Sequence, residues 1–317
     1  MSVSPAPVAW RRVLSLLRPL RAGLGAMVGL SVLGSLAGLV PPVAVGFLIN
    51  DLVERKGVRP EDALWAGLLG AAIVVEAIAY VASDGLYARN AGRLYRNLRL
   101  GMFDGVKRRP VLAPEAVEGL PARFVSDAET FEQVTVYALD TGSMLVVELG
   151  VALVLLGVLE PWAIAVVVPL LAATWLVTRR MQEPAARAGR ARQEALEALT
   201  RTLVRELPRP GAREGRSRFA AVAERLLRAE VRLGWVRAAN LHGSGALAKL
   251  GPLAVVVAAA VAGGYRAGTL LTLYLLAARV FYGFDGLVDL SLAMQSVRGA
   301  VARCLELLDP PPVGLTA

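Results

Sequence analysis

Long apolar stretches alternate with charged stretches along the chain, and this pattern predicts membrane-spanning helices. A helix needs about 20 mostly apolar residues to cross about 30 Å of hydrocarbon. Six segments meet this requirement, at residues 22–49, 63–82, 138–159, 163–177, 247–263 and 270–290. The connections after the second and fourth segments exceed fifty residues, whereas the other three are short. We therefore predict an all-α integral membrane protein with six transmembrane helices.

Composition and charge agree with this interpretation. The chain is 56% hydrophobic and 19% charged, with a mean hydropathy of +0.53, which excludes an ordinary soluble domain. Its net charge of +9 comes from basic residues that precede the first span or lie in the two long connections. On the positive-inside rule, both termini and both long connections face the cytoplasm of a plasma or inner membrane. Nucleic-acid binding by residues 179–237 is a weaker alternative, because glutamates are interspersed among those arginines.

The long connections themselves are predicted to be helical. No proline interrupts residues 76–108, so the second span continues as a helix of about 45 residues, or nearly 70 Å. Helical spacing continues there through Leu86, Asn90, Arg93, Asn97 and Leu100. Residues 179–206 are also predicted to be helical. The helix is broken at 207–211, and a return helix begins at Arg216. These patterns predict two helical hairpins beneath the membrane, each ending in a short tip.

The N-terminal region carries three further signals. Residues 1–21 are predicted to be a tail and a short interfacial helix, with an apolar face formed by Trp10, Val13, Leu14 and Leu17. Within the first span, Pro41-Pro42 predicts a kink. Two small-xxx-small spacings in the same span predict close helix packing, and they are formed by Gly25 with Gly29 and by Gly34 with Gly38.

Five charged residues are candidates for a translocation pathway. Glu76, Glu148 and Arg279 fall deep inside predicted spans, where charges are expensive. We expect them to pair with one another or to face water, with substrate contact as the alternative; a Glu76–Arg279 charge reversal would test the pairing. Asp285 and Asp289 share a helix face near the inner boundary, and either attract a cationic substrate or are simply solvated. A single cysteine, Cys304, and a single histidine leave no basis for a disulfide framework or a metal cluster.

Several motifs, in their order along the chain, resemble the transmembrane domain of ABC exporters. These are R-x-x-x-R-L-Y-R-N-L-R-L-G-M-F (89–103), G-L-P-A-R-F-V-S-D-A-E-T-F-E (119–132), A-G-T-L (267–270) and V-A-R-C-L-E-L-L-D (301–309). The likeness covers about residues 10–309, with the transmembrane domain at 22–309 and a tail at 310–317. It implies the type-1 exporter fold, a domain-swapped dimer with a second six-helix subunit, identical or different, and a lipid bilayer around it.

In that family the two loop tips are coupling helices that dock on nucleotide-binding domains. By resemblance, the first tip involves Val111, Leu112, Ala113, Glu115 and Gly119. The second involves Glu206, Leu207, Arg209 and Gly211. The second tip departs from the family pattern, because Pro208, Pro210 and Gly211 stand where a helical segment is usual.

The expected energy source lies outside this sequence. No G-x-x-x-x-G-K-[ST] phosphate-binding motif occurs, so we expect no enzyme activity and no cofactor in this chain, with ATP and Mg bound by a partner ATPase subunit. The resemblance thus implies the permease subunit of an ATP-driven exporter. A transport-inactive membrane scaffold or accessory subunit is the main alternative, and the front half of an ordinary exporter is another. An intramembrane enzyme or secondary carrier would need a catalytic constellation or unwound half-helices, and neither is evident. Lipids, peptides and drug-like compounds all stay open as substrates.

Overall fold

The computed structural model describes residues 10–55, 60–109, 120, 123–206, 213–296 and 298–308. These residues are almost entirely helical and include no β-strand. Six helical segments are long and apolar enough to cross a membrane, at 12–53, 62–107, 128–159, 161–205, 214–262 and 267–291. Each of the six predicted spans falls on one of these segments, so the all-α, six-helix prediction is confirmed.

Ten α-helices are described. They are α1 (Trp10–Leu17), α2 (Arg21–Ala37), α3 (Val40–Arg55), α4 (Pro60–Lys107), α5 (Ala128–Glu132), α6 (Ala138–Leu159), α7 (Pro161–Glu206), α8 (Arg213–Ala262), α9 (Ala267–Ser296) and α10 (Arg298–Leu308). Wider π-type turns at Arg123–Asp127 and Gln133–Tyr137 flank α5 and make it continuous with α6. A 3₁₀ turn at Arg18–Leu20 joins α1 to α2.

The first membrane segment is broken where the sequence predicts a kink. Helix α2 ends at Ala37, and α3 begins at Val40 after a turn at Gly38 and Leu39. Pro41 and Pro42 cause the break, because neither has an N–H to donate to the carbonyl four residues earlier. The carbonyl of Gly38 therefore has no backbone donor in this helix, and it is available to another group.

Two sharp corners between successive membrane helices also follow from the sequence. Glu160 adopts an extended conformation (φ −145°, ψ 91°) because the following Pro161 disfavours the helical region. Pro161 is then the first residue of α7, where a missing N–H costs nothing. Between α8 and α9, Gly263 and Gly264 have φ of 77° and 81°, a left-handed conformation that glycine adopts readily.

The core of the membrane region forms around α9, which packs against α3, α6 and α8. Two glycines let α3 and α9 cross at very short range, since a Cβ built on Gly268 would lie 2.0 Å from the carbonyl oxygen of Gly46. Of the two predicted glycine pairs, Gly34 and Gly38 pack closely on side chains of α4, whereas Gly25 and Gly29 face open space. The small-residue prediction is therefore confirmed for one pair only.

A second core joins α1, α2, α4, α5 and α10 at one end of the bundle. Its largest fully buried side chains include Leu94, Leu98, Met102 and Phe131. The buried face of α4 thus differs from the spacing seen in the sequence, since Arg93, Asn97 and Leu100 of that spacing are exposed. The sequence alone does not show which of several helical stripes meets a neighbour.

Helix α1 belongs to this second core. Val13 and Leu17 are buried in it, while Leu14 on the same predicted apolar face is 64% exposed. Contacts with α4 therefore hold one side of the helix, and its position at the inner leaflet stays a prediction.

Helix α10 is fastened to the same core by a close backbone approach and an ion pair. A Cβ built on Gly105 would lie 1.8 Å from the carbonyl oxygen of Leu307, so only glycine fits there. Arg303 donates two hydrogen bonds to Asp127, at 2.8 and 2.7 Å. Cys304 on the same helix is a fully buried thiol.

Candidate functional site

A cavity of about 530 Å³ opens between α2, α4, α6 and α9, and we call it the membrane cavity. Its charged lining consists of Glu76, Asp84, Asp140, Glu148 and Arg279. The structure thus brings together the three deeply placed candidates and adds two carboxylates that the sequence reasoning missed. The missed residues lie near helix positions where spans meet the cytoplasm, and charge there is ordinarily a solvated helix end.

The rise of an α-helix places these side chains in depth. Arg279 lies twelve residues after the start of α9, and Glu148 lies eleven residues before the end of α6. At 1.5 Å per residue both are about 17 Å from the outer ends of their helices, near the middle of the hydrocarbon. Glu76 lies sixteen residues after Pro60, or about 24 Å in. The cavity therefore extends from mid-membrane toward the end of the span from which α4 continues.

An ion pair lies at the deep end of the membrane cavity. Arg279 Nη1 donates to Glu148 Oε1 at 2.9 Å, and Nη2 donates to the carbonyl of Gly38 at 3.3 Å. This is the carbonyl that the proline pair leaves without a backbone donor, so the helix break supplies the second acceptor. The Glu148 side chain is only 3% exposed, and that of Arg279 is 33% exposed. The positive charge of Arg279 is tolerated at this depth because Glu148 and the Gly38 carbonyl both accept hydrogen bonds from it.

The sequence predicted that the three deep charges pair with one another or face water, and the structure pairs two of them, Arg279 with Glu148, across the α6–α9 contact. Glu76 instead lies against Gly38, where a Cβ would come within 2.7 Å of Oε1. Within the part of the chain that the structure describes, Glu76 makes no ion pair. A charge-reversal test of the ion pair should therefore exchange Glu148 and Arg279, and not Glu76 and Arg279.

Two serines hold Asp140 at the shallower end of the membrane cavity. Ser31 Oγ donates to Asp140 Oδ1 at 2.5 Å, and Ser83 Oγ donates to the same oxygen at 3.3 Å. The two hydroxyl oxygens are 2.7 Å apart, and both serines are almost fully buried. These contacts link α2, α4 and α6 through one carboxylate. The sequence signals for the cluster were Ser31 inside the first predicted span and Ser83 directly after the second.

A second cavity, of about 510 Å³, adjoins the first beside the second core, and we call it the inner cavity. Tyr87 and Tyr137 line both cavities. Glu132 is 3% exposed and accepts a hydrogen bond from Tyr95 at 3.4 Å, while its Oε1 is buried with no hydrogen-bond partner. The two cavities are therefore neighbours that share two tyrosine side chains as walls.

The remaining predicted residues lie elsewhere. Asp285 and Asp289 stand one turn apart on α9, as expected, but neither lines the membrane cavity or the inner cavity. Glu206 is the last residue of α7. The other predicted coupling residues lie outside the described part of the chain: Val111, Leu112, Ala113, Glu115, Gly119, Leu207, Arg209 and Gly211. Across the described ranges, no group of three His, Cys, Asp or Glu side chains is arranged to hold a metal ion.

No protein-family profile matches the chain, and no curated protein shows significant sequence similarity to it. Inference about function therefore depends on the geometry of the helices and cavities. That geometry provides a polar cavity near mid-membrane and an adjoining cavity near the second core.

Proposed function

We propose that this chain is the membrane-spanning permease subunit of an ATP-driven exporter of the ABC type. The observation that supports it best is the length of the helices that continue past the membrane. Helices α4, α7 and α8 contain 48, 46 and 50 residues, so each is about 70–75 Å long, more than twice the hydrocarbon thickness. Such helices are suited to carry a movement at their cytoplasmic ends into the membrane.

The proposed pathway uses the membrane cavity and the inner cavity. Both lie between the same helices that extend into the cytoplasm, namely α4 and the continuous α5–α6 segment. A rigid-body displacement of α4 would therefore change the shape of both cavities together. In this proposal ATP and Mg bind to a separately encoded ATPase subunit, which moves the two loop tips and so drives alternating access.

A second six-helix subunit is part of the proposal. Leu227, Val231 and Trp235 lie at successive turns of α8, and their exposed fractions are 53%, 51% and 74%. Trp235 is 27 residues before the outer end of α8, or about 40 Å away, which is beyond the reach of the hydrocarbon. A stripe of exposed apolar side chains in that position is typical of a protein contact. We expect a partner subunit to cover it.

Reconstitution tests the proposed function directly. The full chain is placed in proteoliposomes together with its candidate ATPase subunit, and ATP hydrolysis is measured with and without the chain. We expect the chain to form a stable complex with the ATPase and to alter its hydrolysis rate. Alanine replacements at Val111, Leu112 and Glu115 should abolish that effect, whereas the exposed Glu194→Gln control on α7 should keep it.

The same measurements separate the permease from a scaffold. A chain that stays monomeric, binds no ATPase and is indifferent to nucleotide would contradict the permease proposal and favour the transport-inactive alternative. A complex that assembles but shows no change in hydrolysis after the tip replacements would contradict the proposed coupling sites alone.

Orientation is tested by cysteine labelling. The buried native thiol is first removed by Cys304→Ser, and single cysteines are then introduced at exposed Ala267 and Glu194. A membrane-impermeant maleimide should label Ala267→Cys in intact cells, and should label Glu194→Cys only after the cells are opened. The opposite pattern would show that both termini face away from the cytoplasm.

A further inference from the structure

We propose that the membrane cavity binds an amphiphilic organic cation, meaning a protonated amine attached to an apolar body. The proposal names a substrate class for the pathway. The identification of the bound molecule as cargo rests on the proposed export function. Three features of the cavity carry it: its charge balance, an unsatisfied buried carboxylate oxygen, and its aromatic walls.

The charge balance favours a cation. Four carboxylates and one guanidinium line the membrane cavity. The guanidinium of Arg279 is already occupied by Glu148 and by the Gly38 carbonyl, so an anionic ligand would find no free positive charge there. Glu76, Asp84 and Asp140 are left facing the cavity without a compensating cation among its lining residues. In a site between membrane helices, where the dielectric constant is low, uncompensated negative charge attracts cations strongly.

Glu148 supplies a specific acceptor. Its Oε1 receives the hydrogen bond from Arg279, but its Oε2 is buried and has no hydrogen-bond partner. A buried carboxylate oxygen without a donor is unfavourable, and a ligand that donates to it removes that cost. The N–H groups of a protonated amine are donors of the required kind. A quaternary cation, which has no N–H, would leave this oxygen unsatisfied.

The walls of the membrane cavity point to an organic ligand with an apolar body. Tyr80, Tyr87, Tyr137 and Tyr282 line it, and the faces of aromatic rings attract cations and also cover apolar surface. Its volume of about 530 Å³ is in the range of drug-sized ligand pockets. A bare metal ion fits less well, because the described carboxylates do not converge in a group of three.

The inner cavity gives such a cation a route from the cytoplasmic side. It joins the membrane cavity at Tyr87 and Tyr137, and it contains Glu132, whose Oε1 is a second buried carboxylate oxygen without a donor. A protonated amine moving inward therefore meets one such acceptor in each cavity.

A matched pair of fluorescent probes tests the proposal. Dansylcadaverine carries a primary ammonium group, and its N-acetyl derivative is neutral with the same apolar body. Binding of each to the full chain in phosphatidylcholine nanodiscs is followed by energy transfer from tryptophan to the dansyl group. We expect saturable binding of the cation and at least about tenfold weaker binding of the acetylated probe, equivalent to about 1.4 kcal/mol.

Variants locate the site. Glu148→Gln and Glu76→Gln should each weaken dansylcadaverine binding several-fold, and the exposed Glu194→Gln control should leave it unchanged. Glu76→Gln keeps the test decisive if Glu148→Gln fails to fold, because Glu76 makes no ion pair within the described residues. Equal binding of the two probes, or unchanged binding by Glu76→Gln, would overturn the proposal.

This experiment is independent of the export proposal, because no ATPase is present. Charge-selective binding without any response to the ATPase subunit would refute export and leave the cation site intact. ATPase coupling without charge-selective binding would refute the cation site and leave the export proposal intact.

Discussion

The ion pair between Glu148 and Arg279 makes a quantitative prediction about stability. At 2.9 Å and an effective dielectric constant of about 20, the attraction is about 6 kcal/mol before any cost is counted. Desolvation of both groups offsets much of it, and the 33% exposure of Arg279 lets solvent screen the rest. Removing one partner from a buried pair costs about 3–5 kcal/mol, and the partial exposure lowers our expectation to about 2–3 kcal/mol.

The prediction is tested with a double-mutant cycle. Glu148→Leu and Arg279→Leu should each lower the free energy of unfolding by about 2–3 kcal/mol, since each leaves the other charge unpaired near mid-membrane. The double variant should lose only about 2 kcal/mol, which gives a coupling energy of about 3 kcal/mol. Unfolding of the purified full chain is measured in mixed micelles by titration with sodium dodecyl sulfate, with circular dichroism as the signal.

An exposed pair on the same protein serves as the control. Glu183 and Arg187 form an ion pair one turn apart on α7, and their side chains are 72% and 66% exposed. Their coupling energy should be about 0.3–0.5 kcal/mol, because water screens such pairs. If the Glu148–Arg279 cycle gave a value no larger than this control, the reasoning about a buried, mutually dependent pair would be refuted.

Three further predictions concern the edges of the bundle. Arg303→Ala should destabilise the protein by about 1–2 kcal/mol through loss of the two hydrogen bonds to Asp127, and Arg303→Lys should recover only part of that in a thermal unfolding assay. Gly105→Ala should destabilise the protein by about 2 kcal/mol or more, because the added methyl group would push α10 away. Gly92 lies on the same helix with open space around it, so Gly92→Ala should stabilise the protein by about 0.5–1 kcal/mol. The opposite ranking would refute the close approach. Partial burial and a neighbouring carboxylate raise the pKa of Tyr265 above 10.0, so the unfolding temperature should fall as the pH rises above about 10, and Tyr265→Phe should weaken that dependence.

The sign of the last effect follows from proton binding. Above pH 10 the unfolded chain has lost the phenolic proton, while the folded chain still holds it. Raising the pH therefore favours the unfolded state until the folded phenol also ionises. Tyr265 OH donates to Glu160 at 2.9 Å and lies 2.7 Å from the indole nitrogen of Trp162, so the proton is held within a network at the α6–α7 and α8–α9 corners. An unchanged pH profile in the phenylalanine variant would contradict this assignment.

Sequence periodicity was a good guide to helices and a poor guide to their contacting faces. The lengths of the apolar stretches and the prolines near 41 and 161 act locally, so they predict spans and breaks without knowledge of the neighbours. The face of α4 that becomes buried depends on where α1, α5 and α10 lie, and it contains Leu94, Leu98 and Met102. Long helices with several apolar stripes leave this choice to packing.

The candidate site shows the same division. Deep charges are expensive in any membrane helix, so Glu76, Glu148 and Arg279 could be selected from the sequence alone. Their partners could not, because Arg279 and Glu148 are 131 residues apart and the helix-to-helix register decides their distance. Asp140 was missed because a carboxylate near a span end is ordinarily solvated, and only the serines of two other helices show otherwise.

By itself, then, the sequence determined the number of membrane helices, their continuation past the membrane, their breaks, and the presence of charge at mid-depth. These properties depend on the solvation of individual residues and on backbone hydrogen bonds within one segment. Only the tertiary structure decided that Glu148 pairs with Arg279, that the carbonyl freed by the proline pair receives the second hydrogen bond, and that four carboxylates share one cavity. Those contacts join residues far apart in the chain, and short-range preferences carry no information about them.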